Sequence, residues 1–317
     1  MINVSLTQLE YLTAVDTYRN FNQAARHCLV TQPTLSMQIQ KAEESLGVII
    51  FDRSKSPVVP TPLGEKIIEQ ARLILRESSL LGEIASAGNQ QIAGDLRIGI
   101  IPTVGPYLIP RFLKSFVISH PSVTLQVNEL QTDAILELIQ KDQLDAGVLA
   151  TPVERPGVFE LPLYYEPFNA FLPDDHPLIG RPFLAPDDLN LSDLLLLEEG
   201  HCFRNQALQI CAHDVVHEKP QATFISGSLD MLRRLAEQGF GVTLLPQLMV
   251  LSWDQKPVNL KQFGEPAPTR EISLVYSRTY LKRAIMDALA DAIRASVPRE
   301  MLKKSGSVLK PLMGAGS

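Results

Sequence analysis

The chain has 317 residues, 45% of them hydrophobic and 6% aromatic, with 29 basic and 35 acidic side chains for a net charge of −6. That length suits two or three domains with sizeable cores, and the acidic balance excludes a general polycation that coats nucleic acid, so a DNA-binding signal has to be local. Three cysteines, an odd and small number, argue against a disulfide scaffold and fit a reducing compartment. No apolar run approaches the roughly 20 residues of a membrane helix, and the first residues lack a signal peptide's basic region and apolar core. A cytoplasmic protein without membrane contact is expected.

Apolar residues at Leu6, Leu9, Leu12 and Val15 predict a first helix. A second is predicted over about 22–29, a short turn at Val30-Thr31, and a third helix over 32–46. Thr31 reads as its N-cap, and Pro33 is tolerated in the first turn. Two short helices joined by a tight turn form a helix-turn-helix. Leu35 and Ile39 mark the buried stripe of the third helix. Gln32, Pro33, Thr34, Ser36 and Gln38 form the candidate surface for base edges and phosphates of double-stranded DNA. Between positions 17 and 42 the only charges are Arg19, Arg26 and Lys41, although residues 1–60 are neutral as a whole. A small helical bundle that binds protein is the competing reading. Cys28, between His27 and Leu29, reads as core. Residues 51–61 place Arg53 and Lys55 in a turn between short extended pieces, a wing from which either could reach the DNA backbone.

Residues 62–87 form one long amphipathic pattern with Leu63, Ile67, Ala71, Ile74, Leu81 and Ile84 on one side. A helix of this kind, with no domain of its own to bury it, pairs with a partner chain. Residues 86–91 are the candidate linker. The segmentation is therefore 1–61, 62–90, 91–300 and a tail, 301–317, expected to fray from about residue 298.

Beyond residue 91 strands alternate with helices. Strands are predicted over 96–101, 123–129, 144–149, 161–164, 168–172, 242–245 and 272–276, and helices over 106–119, 132–141, 227–238 and 280–296. Such alternation implies open, mostly parallel sheets with helices on both faces, here as two subdomains around a cleft. Ligands bind these sheets beyond strand C-termini. Thr103 and Thr132 fall there, and each serves equally well as a plain helix cap.

Residues 200–211 hold Cys202 and Cys211. A buried strand is predicted over 194–197, a loop over 198–201 and a helix over 202–213. Cys202 would then sit in a first turn, where unpaired amides and nearby cations favour a thiolate. Nine residues of helix separate the two Cα atoms by about 13.5 Å, whereas a disulfide needs them within about 7 Å. A bond between them would require local unfolding. Spacing alone favours two buried structural cysteines over a redox pair, since Cys-x8-Cys is no established motif. No His/Cys spacing resembles a zinc site, and nucleotide-binding glycine motifs and serine-nucleophile motifs are absent from the sequence. Neither a cofactor nor an enzymatic activity is expected.

Leu9-Glu10-Tyr11-Leu12, Phe21, Ala24-Ala25, Thr31-Gln32-Pro33-Thr34-Leu35-Ser36, Ile39, Phe51-Asp52-Arg53 and Thr61-Pro62-Leu63-Gly64 resemble the N-terminal signature of LysR-type transcriptional regulators. The stretches 101–108, 200–211 and 241–246 are similar to the hydrogen-peroxide sensors of that family. The resemblance implies an α/β regulatory domain of two Rossmann-like subdomains, periplasmic-binding-protein-like, preceded by an all-α winged helix-turn-helix and a long linker helix. It implies a peroxidatic role for Cys202, a resolving role for Cys211 with a disulfide between them, and a peroxide pocket at Thr103, Thr132, His201 and Arg270. It further implies a homodimer or homotetramer that recruits RNA polymerase. The wing, at 54–57, is less basic than the family's. The alternative is a metabolite-responsive regulator of the same family whose cysteines are structural. An enzyme or solute-binding protein on the same two-lobed fold is opposed by the helix-turn-helix.

Overall fold

The computed structural model describes residues 4–86, 92–211, 226–255, 257–277 and 282–311, in two compact units, 1–91 and 92–317. The predicted linker at 87–91, the last two residues of the helix predicted to reach 213, and the start of the predicted closing helix at 280 lie outside the described residues.

In the first unit, α1 (Leu6–Tyr18) starts from a capping box between Ser5 and Gln8. The side chain of Asn20 caps α2 (Phe21–His27), and that of Thr31 caps α3 (Gln32–Leu46), which ends at Gly47 in the left-handed region. The second helix stops two residues earlier than predicted because Leu29 adopts φ +56°, a conformation no helix continues through. Leu9, Leu12, Val15, Ala24, Ala25, Leu35 and Ile39 share one core. Strands β1 (Phe51–Asp52) and β2 (Val59–Pro60) pair antiparallel as the predicted wing. Helix α4 (Pro62–Ser86) buries Ile68 and Ala71 and is tied to α1 by Arg72 Nη2 to Asp16 Oδ2 at 2.6 Å. Further along, Ile74 and Leu81 stay exposed.

The second unit runs β3 (Gly94–Ile100), α5 (Gly105–Ser119), β4 (Val123–Glu129), α6 (Thr132–Gln140), β5 (Ala146–Thr151), β6 (Phe159–Phe171), β7 (Phe183–Leu184), β8 (Leu194–Leu195), α7 (Cys202–Ile210), α8 (Leu229–Glu237), β9 (Val242–Pro246), α9 (Gln247–Val250), β10 (Leu260–Phe263), β11 (Pro268–Tyr276), α10 (Arg283–Ser296) and β12 (Ser307–Val308). In the first lobe β3 pairs in parallel with β4 and β5, and β11 joins β5 antiparallel. In the second, β9 pairs in parallel with β8, and β10 with β7. Strand β6 bridges the two. Its Phe159–Pro167 portion runs antiparallel to β11, and Phe168 onward pairs with β9 and β10.

Three expectations need correction. The two short strands predicted around 161–172 are one 13-residue strand. Pro162 and Pro167 break the apolar pattern, and the strand accommodates proline with a register shift opposite Ile272/Ser273. The sheet is mixed rather than mostly parallel, because β6 and β11 cross between lobes in opposite directions. The tail does not fray at 298: β12 pairs in parallel with β11, and Ser307 and Leu309 amides donate to Ala267 and Thr269 carbonyls.

Candidate functional site

Two bridging strands carry Arg270 and Glu166 to the junction of the lobes, and both side chains are fully buried. Arg270 Nε and Nη2 donate to Glu166 Oε2 at 2.9 and 2.7 Å. Its Nη1 donates to Thr103 Oγ1 at 2.9 Å and Nη2 to the Thr103 carbonyl at 3.0 Å. Glu166 Oε1 accepts from the Leu248 amide at 2.8 Å. The guanidinium lies 5.0 Å from the centroid of the Phe203 ring, a cation–π geometry. All three guanidinium nitrogens of this buried cation therefore donate to an acceptor, and one of its faces meets an aromatic ring.

Cys202 is the first residue of α7, next to Phe203, and His201 is the N-cap residue with no side-chain capping bond. Thr132 opens α6, whose N-cap is Gln131. Neither threonine is a helix cap: α5 is preceded by Val104, and Thr103 Oγ1 is engaged by Arg270. The buried Thr132 hydroxyl has no hydrogen-bond partner within normal limits, yet it faces Cys202 closely enough to favour the thiolate. A buried hydroxyl beside a thiol can both donate to and accept from a small polar molecule. His201 is buried, with Nε2 3.6 Å from Glu198 Oε1. The loop that delivers it depends on two glycines. Gly200 has φ +91°, and a Cβ there would meet the Gln131 side chain at 2.7 Å. A Cβ on Gly227 would approach Glu198 Oε1 to 3.0 Å and His201 Nε2 to 3.1 Å. A larger residue at 200 would be strained by its positive φ and press on Gln131, and one at 227 would crowd the imidazole.

Burial and the neighbouring donors act on the Cys202 thiol in opposite directions. Burial pushes the Cys202 thiol above its ordinary value, outweighing the Arg270 charge, the Thr132 hydroxyl and the amides of Phe203 and Cys202, which pull it down. Cys211 is not inside the helix but caps its C-terminus, donating its amide to the Ala207 carbonyl. Burial alone raises its thiol to about 11. The two cysteines are free and belong to different cores: Cys202 packs with the first lobe, Cys211 with the second.

Thr103, Thr132, Cys202 and Arg270 thus come together; His201 adjoins Cys202 in the chain with its side chain beside Glu198, and Cys211 stands apart from them. Sequence reasoning missed Glu166, 104 positions from its partner, for which no local pattern gives a signal. It also missed the contacts of α7 with the tail: Gln206 Nε2 donates to the Leu309 carbonyl at 3.0 Å and Gln209 Nε2 to the Lys310 carbonyl at 2.8 Å.

In the first unit, Gln32, Pro33 and Thr34 occupy the first turn of α3, with Ser36 and Gln38 following. Gln38 Oε1 accepts from Gln8 Nε2 at 3.1 Å. Arg53 is committed within the unit: Nη2 pairs with Glu43 Oε2 at 3.0 Å, Nη1 donates to Ser36 Oγ at 3.2 Å, and the guanidinium stacks 5.1 Å from the Phe21 centroid. Cys28 is half-buried against the apolar core. Among the described residues no cluster of His, Cys, Asp or Glu suits a metal ion, and no helix is long and apolar enough to cross a membrane.

Comparison with known proteins adds a second line of observation. Residues 6–65 match the bacterial regulatory helix-turn-helix protein family of LysR type, and residues 89–298 match the LysR substrate binding domain. The chain is 38% identical to a hydrogen peroxide-inducible genes activator of Dickeya chrysanthemi, over 95% of this chain and 99% of the relative. It is equally 38% identical to the DNA-binding transcriptional dual regulator OxyR of Escherichia coli K12, over 92% and 95%. Among solved structures, a full-length OxyR cysteine-to-aspartate variant from Pseudomonas aeruginosa superimposes with a TM-score of 0.79 at 35% identity, covering 93% of this chain and 99% of that one. A Corynebacterium glutamicum OxyR cysteine-to-serine mutant with H2O2 bound gives 0.60 at 31%, covering 93% and 92%.

Proposed function

The chain belongs to the LysR family of bacterial transcriptional regulators, and from that membership we propose that it is a hydrogen-peroxide-sensing, DNA-binding activator of oxidative-stress genes, switched by oxidation of Cys202 and a Cys202–Cys211 disulfide. The observation that carries the reading is the convergence of a buried thiol, an unsatisfied threonine hydroxyl and a fully coordinated arginine at the lobe junction. The relatives named for peroxide induction support the same reading.

Peroxide enters between Cys202 and the Thr103, Thr132 and His201 side chains. The Cys202 sulfur attacks one oxygen, the O–O bond breaks, and the departing oxygen takes the thiol's proton to leave as water. The sulfur is now a sulfenic acid, and Arg270 with the α7 amides stabilises negative charge on it during attack. Cys211 then attacks the Cys202 sulfur, the S–O bond breaks, a second water leaves, and a disulfide remains. A cellular dithiol of the glutaredoxin type restores both thiols. Because the cysteines start at opposite ends of α7, disulfide formation unwinds the helix and repacks both cores. The paired linker helices, joined through Ile74 and Leu81 of α4, convey that change to the DNA readers of a homodimer or homotetramer, which recruits RNA polymerase in the cytoplasm. The protein acts as a regulator and not as an enzyme. Gln32, Pro33, Thr34, Ser36, Gln38 and Arg53 form or brace its DNA surface.

Mass spectrometry of the peroxide-treated protein without reductant tests this. A Cys202–Cys211 crosslink is expected, and an unmodified Cys202 sinks the reading. The burial of both cysteines with raised thiols favours one rival, a metabolite-responsive regulator with structural cysteines. Peroxide induction that survives Cys202→Ser would establish it.

A further inference from the structure

The peroxide pocket contains a cation that is more elaborately held than binding alone requires. Three groups fix the Arg270 guanidinium: Thr103 by two bonds, the Phe203 ring by its face, and Glu166 by two bonds to one carboxylate oxygen. Only Glu166 carries charge. It is itself fixed by the Leu248 amide from α9, so both oxygens of the carboxylate are used and neither ion reaches solvent.

We propose that Glu166 is the positioning residue of the sensor: as the counter-ion of Arg270 it limits the pull that this guanidinium exerts on Cys202, and so sets the peroxide level at which Cys202 reacts. This rests on the peroxide-sensing reading. A bare buried arginine beside a cysteine would stabilise the thiolate strongly. Burial is the largest influence holding the Cys202 thiol up, against the pull of the arginine, the threonine hydroxyl and two helix amides. A sensor that must stay silent at low peroxide is served by a cysteine of moderate reactivity, and the carboxylate bonded to the guanidinium is placed to weaken the one charged member of that pull.

The other ionisable groups facing the pair do not supply this counter-charge. Tyr107 of α5 and Tyr164 of β6 are both pushed upward, chiefly by burial, and stay neutral. Asp230 and Arg233 of α8 are registered through Tyr107 as charges of opposite sign, and Arg111 of α5 acts on Tyr164. His201 has Glu198 as its own partner.

With Glu166 neutralised, the two Thr103 bonds and the Phe203 ring still aim Arg270, so its charge acts on Cys202 uncompensated. The test is the pH midpoint of Cys202 ionisation, read by thiolate absorbance and by alkylation rate, in a Cys28→Ser, Cys211→Ser background of the full chain. Glu166→Gln is expected to lower the midpoint by roughly one unit or more and to raise the rate of Cys202 oxidation by H2O2 at neutral pH by about tenfold per unit. Glu166→Asp, which retains the carboxylate, is expected to keep the midpoint near that of the parent. A midpoint for folded Glu166→Gln that is unchanged or raised overturns the proposal. If that variant does not fold, Arg270→Gln and the charge-free double substitution Glu166→Gln, Arg270→Gln carry the test, because they differ only in the carboxylate. The double variant is expected to have the lower midpoint of the two, and an equal or higher value overturns the proposal. Alkylation reads the midpoint even if peroxide never oxidises Cys202, so failure of the sensing reading is distinguishable from failure of the Glu166 role.

Discussion

Cys202 and Cys211 stand at the two ends of one nine-residue helix and are buried in two different hydrophobic cores. A bond between them therefore draws on the stability of the helix and of both lobes at once. Ala207 lies between them, buried on the inner face of α7. Ala207→Gly weakens the helix by about 1 kcal/mol, which is expected to speed disulfide formation roughly fivefold while leaving the first oxidation of Cys202 unchanged. Rapid-quench trapping of the sulfenic acid, followed by mass spectrometry, separates the two steps. Equal disulfide rates in the two proteins would show that unwinding is not limiting.

Gln206 and Gln209 attach the same helix to the backbone of Leu309 and Lys310, and Lys310 pairs with Glu154 of the first lobe at 2.9 Å. The tail thus braces the sensor helix in its reduced form. Truncation after Gly306 removes two hydrogen bonds that only the helical form can make, each contributing about 1 kcal/mol. The expected outcome is several-fold faster disulfide formation and a measurable fall in the protection of α7 amides from hydrogen exchange. Unchanged protection would refute the bracing role.

What the sequence disclosed and what it hid follow one physical division. Local signals were legible: the Thr31 cap, the apolar spacing of Leu35 and Ile39 and the amphipathic run of α4 placed the first unit almost residue by residue. The positions of Thr103 and Thr132 beyond strand ends were legible too, but not that neither caps its helix. The Glu166–Arg270 pair was illegible because a contact across 104 positions leaves no trace in spacing. The tail was misread because its Gly- and Lys-bearing composition reports exposure, while its docking depends on a free edge of β11. The burial of Cys202, which works against the thiolate that its helix position favours, was hidden because no sequence window reveals it.

Removing Arg270 is expected to be severe for stability. Arg270→Ala leaves Glu166 charged, buried and short of two donors, a loss of about 3–5 kcal/mol. Arg270→Lys keeps the charge but gives up the fork that spans Thr103 and Glu166, so an intermediate loss is expected. Denaturant unfolding of the reduced proteins measures both. Arg270→Ala within 1 kcal/mol of the unaltered chain, on the order of a surface change, would mean that the pair opens to solvent.

Alkaline pH acts through Cys211. Its thiol is raised from 9.0 to about 11 in the folded protein, so the unfolded chain loses this proton first. The associated stability is intact below pH 9.0 and drains as pH rises toward about 11, at on the order of 1 kcal/mol per pH unit. Cys211→Ala removes that slope. The difference in unfolding free energy between the unaltered protein and this variant should narrow between about pH 8 and about pH 10 under reducing conditions. A constant difference across that range would contradict it.

Arg53 and Lys55 of the wing are both cations, but the structure gives them different work. Arg53 is spent on Glu43, Ser36 and Phe21, whereas Lys55 has only a loose pairing with Asp52 at 3.9 Å. Arg53→Ala is expected to destabilise the first unit by about 1 kcal/mol, from a partly exposed ion pair and a cation–π contact. DNA affinity should then weaken through misplacement of the wing and of Ser36, with the salt dependence of binding unchanged. Lys55→Ala should leave stability intact and reduce the slope of log affinity against log salt by about 0.9, the loss of one phosphate contact. Titrations of an operator duplex at several salt concentrations decide between the two roles. A reduced slope for Arg53→Ala would show that this guanidinium leaves Glu43 to bind the backbone.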